Sequence, residues 1–223
     1  MDQKIFLELV RLNGLELTED QQQKLLQYAA LLIEWNSKVN LISRKDEENV
    51  LSRHILHSLA LAMPETMDVT FEPGTSVLDI GTGGGMPGVP LAIVHPDIEF
   101  RLVDSIQKKI NAVSDMITRI GLTNAQAIAG RVEEMRKAKK LTPNFDVVVS
   151  RAVAPLDELV GWTKLLIKPG AFLYSLKGGD LTDEMVRTRK MNVVAGVTSW
   201  PIELKEYEEF ITEGKQIVKV TFR

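Results

Sequence analysis

The 223-residue sequence contains no cysteine, which excludes disulfide bonds, thiolate nucleophiles and cysteine-based metal sites. It also lacks any run approaching the roughly 18 consecutive apolar residues that a membrane-spanning helix needs. The first fourteen residues, "MDQKIFLELVRLNG", lack the apolar core of a signal peptide. We therefore expect a cytoplasmic protein without a membrane anchor.

Charge is nearly balanced over the whole chain but is unevenly distributed along it. Lys and Arg number 27 against 30 Asp and Glu, and a net charge of −3 argues against a protein that coats nucleic acid. Residues 101–140 nevertheless hold nine basic residues and four acidic ones, whereas residues 64–100 hold six acidic residues and no Lys or Arg. A local basic face is therefore compatible with the overall acidic balance.

Helical periodicity dominates the first 63 residues. One helix is predicted to end at Asn13-Gly14, and a second to begin after Thr18, where Gln21 completes a capping-box pattern. A third helix is predicted over Glu47–Ala62. Residues 64–74 contain two prolines and a glycine, so the predicted division is a helical extension (1–64) followed by a second domain (65–223).

From residue 75 onward, β-rich runs alternate with helical segments. This alternation predicts crossover connections and a parallel sheet, hence an α/β fold. The last two β-rich segments have no helical pattern between them and predict a terminal antiparallel pair. The predicted strands are 76–80, 98–104, 125–129, 145–150, 170–177, 192–200 and 215–223.

Glycine is concentrated at one point, because five of the fifteen glycines lie between Gly81 and Gly88. In a doubly wound sheet, the loop after the first strand lies where ligands bind, and glycines there let the backbone approach a ligand. No Lys follows the run in the position that a nucleotide-hydrolysing P-loop requires, so that class is excluded.

Two ligand classes remain for the glycine loop. The stretch Gly83–Gly88 matches the GxGxxG pattern of dinucleotide-binding proteins, and Asp104 at the end of the second strand suits a ribose-binding acid. The stretch Asp79–Gly85 reads DxGxGxG, which resembles the first motif of S-adenosylmethionine-dependent methyltransferases. Strand placement favours the second register, because the apolar run ends at Ile80 and makes Gly81 the first glycine of the turn. Asp104 serves either ligand, since both carry a ribose diol.

Motifs spread over most of the chain match one family in its order. The most specific are "VLDIGTGGGMPGVPLAI" (77–93) and "FDVVVSRAVAPL" (145–156). The others are "WNSKVNLIS" (35–43), "RHILHSL" (53–59), "LVDSIQKK" (102–109), "GRVEE" (130–134) and "LKGG" (176–179). On these residues the chain resembles the RsmG family, formerly glucose-inhibited division protein B, of bacterial small-subunit ribosomal RNA methyltransferases.

The resemblance implies a class I S-adenosylmethionine-dependent methyltransferase fold: a Rossmann-like, mostly parallel sheet with C-terminal antiparallel strands and an N-terminal helical extension. It implies methyl transfer from S-adenosylmethionine to N7 of a guanine in 16S ribosomal RNA, by a protein that we expect to be a monomer. Two alternatives remain open: an NAD(P)-dependent oxidoreductase using the Gly83–Gly88 register, and a non-catalytic RNA-binding protein on the same fold.

Carried over by position, the resemblance implies that Gly81, Met86, Val132, Glu133 and Arg151 belong to the cofactor site. Asp104 is expected to bind the ribose hydroxyls, and Asp79 to hold either the N–H groups of the loop or the ammonium of the cofactor. Arg151, after the fourth strand, is expected to bind the methionine carboxylate, an RNA phosphate or guanine O6, or else to pair with Asp157 or Glu158. The full predicted set is Asp79, Gly81, Gly83, Gly85, Met86, Asp104, Val132, Glu133 and Arg151.

No residue stands out as a catalytic acid or base. Guanine N7 carries an unprotonated lone pair, so its methylation needs positioning and not proton removal, and only Arg151 is a catalytic candidate. His54 and His57 would share a helix face, but no third ligand lies near them, so we expect no metal. The family usually has Asp at the position of His57. The predicted RNA-binding residues are Arg53, His54, Lys108, Lys109 and Lys177.

Overall fold

The computed structural model describes residues 1–64, 66 and 71–223. It begins with two helices, α1 (Gln3–Leu12) and α2 (Glu19–Asn36). The hydroxyl oxygen of Thr18 accepts the backbone N–H of Gln21 at 3.2 Å, and the side-chain oxygen of Gln21 accepts the backbone N–H of Thr18 at 3.0 Å. The predicted capping box is confirmed, and it starts α2 where the sequence indicates.

The third helical segment changes its helix type along its length. It consists of a 3-10 helix (Arg44–Asn49), a π helix (Val50–Leu56) and a short α3 (His57–Leu59). The predicted single helix over 47–62 is therefore wrong in type and in its bounds. In the π helix the carbonyls of Arg53 and His54 accept hydrogen bonds from the Arg151 side chain. Sequence periodicity cannot show such a contact, because Arg151 lies almost 100 residues away along the chain.

Seven strands form one sheet in the order β3-β2-β1-β4-β5-β7-β6 in the described part of the chain. The first five strands are parallel, and β7 runs antiparallel to both β5 and β6. The predicted parallel sheet and its C-terminal antiparallel pair are confirmed. The strands are β1 (Ser76–Ile80), β2 (Glu99–Asp104), β3 (Ala125–Ala129), β4 (Phe145–Arg151), β5 (Ile167–Gly178), β6 (Val194–Pro201) and β7 (Lys215–Phe222).

Six further helices follow α3 in the described ranges, and four of them differ from the helical patterns of the sequence. The pattern over 131–138 predicts a longer helix than α6, which spans four residues, and the pattern over 156–168 predicts a longer helix than α7, which ends at Thr163. α8 lies in a segment without a helical pattern, and α9 lies between the two C-terminal strands, where the sequence predicts no helix. α8 buries only Thr188 and so shows no apolar stripe, while α9 is too short for periodicity to register. Their bounds are α4 (Gly88–Val94), α5 (Gln107–Arg119), α6 (Val132–Met135), α7 (Leu156–Thr163), α8 (Thr182–Arg189) and α9 (Glu209–Thr212).

The N-terminal helices share a hydrophobic core with one face of the sheet. Phe6 of α1 and Tyr28 of α2 are fully buried in the same cluster as Val77 of β1 and Phe100 of β2. The hydroxyl of Tyr28 donates to the carbonyl of Gly84 at 2.8 Å, which ties α2 directly to the glycine loop. The predicted boundary at 64–74 lies partly outside the described residues.

Within residues 1–64, 66 and 71–223, none of the helices combines the length and the hydropathy needed to cross a membrane. The same residues contain no group of three or more His, Cys, Asp or Glu side chains placed to hold a metal ion.

Candidate active site

The carboxyl ends of the parallel strands border a cleft made of two adjoining cavities. The larger cavity has a volume of about 650 Å³ and the smaller about 300 Å³. Such an edge is where open α/β sheets bind ligands. Four residues line both cavities, namely Gly81, Lys109, Ala152 and Val153.

The glycine loop adopts backbone conformations that favour glycine. Gly81 and Gly83 have φ values of +66° and +58°, in the left-handed region. A Cβ atom on Gly81 would lie 2.6 Å from a methyl carbon of Val153, whereas one on Gly83 would meet no atom closer than 3.9 Å. Gly81 is thus required by both conformation and packing, and Gly83 by conformation alone.

The carboxylate of Asp79 holds the glycine loop through two hydrogen bonds. Its Oδ2 accepts the hydroxyl of Thr82 at 2.6 Å and the backbone N–H of Gly88 at 2.9 Å, and the side chain is fully buried. Oδ1 has no hydrogen-bond partner among the described residues. Of the two roles predicted for Asp79, these contacts fit holding the loop. Burial raises the pKa of Asp79 to about 7.

We expect Asp79→Asn to remove a pH dependence of stability. A carboxyl whose pKa is higher in the folded state than in the unfolded state stabilises the protein fully below the unfolded pKa, and this contribution is lost as pH rises through the folded pKa. For Asp79 the window runs from 3.8 to about 7. At about 1.4 kcal/mol per pKa unit, this window of about three units corresponds to a loss of roughly 4 kcal/mol.

Urea unfolding of the wild type and of Asp79→Asn at pH 5, 6, 7 and 8 measures this effect. Asparagine can still accept both hydrogen bonds through its amide oxygen, so the variant should lose less stability than the wild type between pH 5 and pH 7. Parallel stability curves for the two proteins would contradict the assignment.

Asp104 is fixed at the end of β2 and lines the smaller cavity. Its Oδ2 accepts the N–H of Gly83 at 3.0 Å, and its Oδ1 accepts the N–H of Ile106 at 2.8 Å. Each carboxylate oxygen retains further acceptor capacity. The carboxylate is therefore pre-oriented, and it links the glycine loop to the start of α5.

Val132 and Glu133 also line the smaller cavity. Val132 is buried at the first position of α6 and supplies an apolar surface. Glu133 is exposed and forms a loose ion pair with Arg131 at 3.7 Å, so its carboxylate is accessible from the cavity side. The structure thus brings both residues to the cavity that Asp104 lines.

Arg151 occupies the larger cavity at the end of β4. Its guanidinium donates to the carbonyls of Arg53 and His54 at 3.3 and 3.4 Å, contacts His54 Nδ1 at 2.9 Å and lies 3.3 Å from the sulfur of Met86. Burial lowers the pKa of Arg151 from its usual value. The candidate acid Asp157 pairs instead with Arg187 at 3.1 Å. Arg151 therefore joins the N-terminal segment to the glycine loop.

Three of the five predicted RNA-binding residues have charged or hydrogen-bonding partners within the chain. Arg53 pairs with Asp46 at 3.4 Å and with Glu213 at 3.0 Å. His54 is partly buried, and burial lowers its pKa to about 4, so its imidazole is uncharged at neutral pH. Lys177 forms an ion pair with Glu184 at 2.6 Å.

The other two predicted RNA-binding residues, Lys108 and Lys109, lie at the start of α5. Lys108 is exposed, and Lys109 lines both cavities. These two lysines are the predicted RNA-binding residues whose positions leave their charge available to a ligand.

Sequence interpretation missed four charged residues that line the larger cavity. They come from the 3-10 helix, from α8 and from the stretch between the end of α9 and the start of β7, which are segments without a recognisable motif. Glu184 had one available signal, because it follows the motif residue Lys177 by seven positions. The missed residues are Asp46, Glu184, Glu213 and Lys215.

His57 is a buried residue of the same region. Its ring packs against Phe210 with 5.1 Å between ring centroids, and burial lowers its pKa well below the usual value. The imidazole therefore contributes to the packing between the N-terminal segment and α9.

The dinucleotide register fits the structure poorly. Its third glycine, Gly88, opens α4, and its N–H is already used by the buried Asp79. Pro87 and Pro90 carry no N–H. The start of this helix therefore offers few free donors to a pyrophosphate.

Comparison with known proteins places the chain among methyltransferases. A family model described as rRNA small subunit methyltransferase G matches residues 21–210. The chain is 43% identical over 215 residues to ribosomal RNA small subunit methyltransferase G of Chlorobaculum tepidum, covering 94% of each chain. It is 40% identical over 209 residues to the protein of that name from Bacteroides thetaiotaomicron, covering 91% of this chain and 94% of that one.

Solved structures with low sequence identity show the same fold. The tRNA methyltransferase TrmI of Aquifex aeolicus superposes with a TM-score of 0.52 at 12% identity, over 67% of this chain and 62% of that chain. The likeness extends to the fold, and the mostly parallel sheet with an antiparallel β7 is the α/β architecture that the sequence predicted.

Proposed function

The chain belongs to the rRNA small subunit methyltransferase G family, and we propose that it transfers a methyl group from S-adenosylmethionine to N7 of a guanine in 16S ribosomal RNA. The observation that carries this proposal is the pair of adjoining cavities, with Asp104 in the smaller and Arg151 in the larger. We further propose that the protein acts as a cytoplasmic monomer on the RNA of the small subunit.

The residues of the smaller cavity suit an adenosine group. Ile80, Val103 and Val132 provide apolar surface for a base, and the fixed carboxylate of Asp104 provides acceptors for a ribose diol. The shared wall at Gly81 leads into the larger cavity, where Arg151 offers guanidinium donors to a carboxylate. These donors and acceptors match the two polar ends of S-adenosylmethionine.

Bound S-adenosylmethionine supplies an electrophilic methyl group, and guanine N7 has a free lone pair, so no side chain needs to remove a proton. The contribution of the chain is to position the reactants and exclude water. The lowered pKa values of His54 and His57 keep both imidazoles uncharged. They therefore add no positive charge beside a sulfonium. Arg151 is the candidate donor to guanine O6 or to the cofactor carboxylate.

Lys108 and Lys109 are the proposed phosphate contacts. Because Arg53, His54 and Lys177 have internal partners, few phosphates would be neutralised, and RNA affinity should fall only shallowly with salt.

Transfer of a labelled methyl group to small subunits that lack the modification tests the proposal. Labelled N7-methylguanine in the digested RNA is the expected product. A protein that binds subunits without transferring the label would be the non-catalytic alternative, and calorimetric binding of NADH but not of S-adenosylhomocysteine would indicate the oxidoreductase.

We expect Asp104→Ala to weaken S-adenosylhomocysteine binding strongly. The change removes charge-assisted contacts to the ribose, worth about 2–3 kcal/mol, which corresponds to roughly a 30- to 150-fold rise in Kd. Asp97→Ala, at an exposed position, is the control and should bind normally. Equal affinities of the two variants in calorimetry would show that other groups hold the ribose.

A further inference from the structure

The segment between β4 and α7 separates the two cavities. Ala152 and Val153 line both of them, and the methyl groups of Val153 occupy the space next to Gly81. Ala152 has a φ of +52°, a left-handed conformation that is unfavourable for a residue with a Cβ atom. Such a conformation persists only where surrounding contacts hold it in place.

Two side chains that line the larger cavity contact the same segment at its next residues. Lys177 Nζ donates to the carbonyl of Ala154 at 2.8 Å, and Glu184 Oε2 accepts the N–H of Leu156 at 2.7 Å. The ammonium and the carboxylate are joined to each other at 2.6 Å. β5 and α8 thus hold the segment at two backbone groups that flank Pro155.

The pair is well shielded from water. The Lys177 and Glu184 side chains are only 11% and 13% exposed. Burying two charges is costly unless each finds hydrogen-bond partners, and here each has a backbone partner besides the other. The ammonium of Lys177 is therefore paired and shielded from water, which makes it a poor candidate for binding RNA phosphate.

We propose that Lys177 and Glu184 are positioning residues, a clamp that holds residues 152–156 in the shape that separates the cofactor cavity from the RNA-facing cavity. This inference rests on the proposed function. It reassigns Lys177, which sequence motifs suggested as a phosphate contact. It also adds Glu184, which no motif indicates.

The two roles of Lys177 predict opposite effects of Glu184→Gln. In a clamp, the loss of the carboxylate loosens the segment, so kcat should fall about as much as in Lys177→Met, by tenfold or more. If Lys177 binds phosphate, the loss of Glu184 frees its ammonium, and RNA binding should strengthen. The matched control is Arg187→Met, which removes the more exposed ion pair between Arg187 of α8 and Asp157 of α7.

The experiment measures kcat, KM and the salt dependence of subunit binding for the three variants, together with hydrogen exchange of residues 150–160. If the pair is a clamp, Lys177→Met and Glu184→Gln should both have a lower kcat, an unchanged salt dependence of subunit binding and faster hydrogen exchange at Leu156. Arg187→Met should behave like the wild type. Two results would overturn the clamp. One is a plot of log affinity against log salt concentration whose slope is lower by about one phosphate contact in Lys177→Met. The other is tighter subunit binding by Glu184→Gln.

Hydrogen exchange can be measured whether or not the protein transfers a methyl group. Absence of methyl transfer by the wild-type protein would contradict the proposed function. Unaltered hydrogen exchange at Leu156 in both Lys177→Met and Glu184→Gln would contradict the clamp alone. Should Lys177→Met not fold, the sign of the effect of Glu184→Gln on subunit binding and the exchange at Leu156 still decide between the two roles.

Discussion

Arg151→Met is expected to reduce methyl transfer by about 10²–10³-fold, the range seen when one preorganised donor is removed from an active site. The guanidinium is the group that connects the π helix at Arg53 and His54 with Met86 of the glycine loop. Methionine preserves much of the length of the side chain but provides none of the donors. Cofactor binding should weaken as well, because the contacts to both walls of the larger cavity are lost.

Single-turnover methyl transfer and calorimetry with S-adenosylhomocysteine measure the two effects separately. Arg187→Met makes the same substitution at an exposed site on α8 and should retain full activity. Arg151→Lys retains the charge but not the several contacts, and intermediate activity is expected. Activity of Arg151→Met within a factor of three of the wild type would remove Arg151 from the candidate catalytic groups.

Gly88→Ala is expected to destabilise the fold by about 3–5 kcal/mol, through overpacking and a broken buried hydrogen bond. A Cβ atom there would lie 2.2 Å from Leu102 Cδ2 and 2.6 Å from Asp79 Oδ2. Both neighbours are buried, so neither has free space to move into. The hydrogen bond from the N–H of Gly88 to Asp79 would be strained at the same time.

Gly161→Ala is the matched control, because Gly161 lies inside α7 and a Cβ atom there would meet nothing within 4 Å. Alanine is the better helix former, so this variant should gain about 0.5–1 kcal/mol. Urea unfolding of both variants gives the comparison. A loss below about 1 kcal/mol for Gly88→Ala would show that α4 shifts freely, against the close packing of the loop on β2.

Local patterns predicted the elements that depend on local interactions. The Thr18–Gln21 capping box starts α2, and the apolar runs of β1 and β4 mark the strands that border the cleft. Asp104 was predicted from its place at a strand end, and both of its oxygens bind backbone N–H groups there. These features could be predicted because capping, alternation and strand ends are encoded within a few neighbouring residues.

The partners of the charged side chains could not be predicted in this way. Arg53 shows no local sign that it pairs with Glu213, and nothing near His54 indicates that a distant Arg151 lies against its ring. α8 has no apolar stripe, so the segment that carries Glu184 was not recognised as a helix.

The sequence by itself determined the alternation of strands and helices, the glycine loop after Asp79 and the family to which the chain belongs. Only the tertiary structure decided which basic side chains remain free to bind RNA, since Lys177 forms an ion pair with Glu184 while Lys108 is exposed. The physical reason is that a strand or a cap forms from adjacent residues, whereas the charge state and the orientation of a side chain depend on burial and on partners that the fold brings from distant parts of the chain.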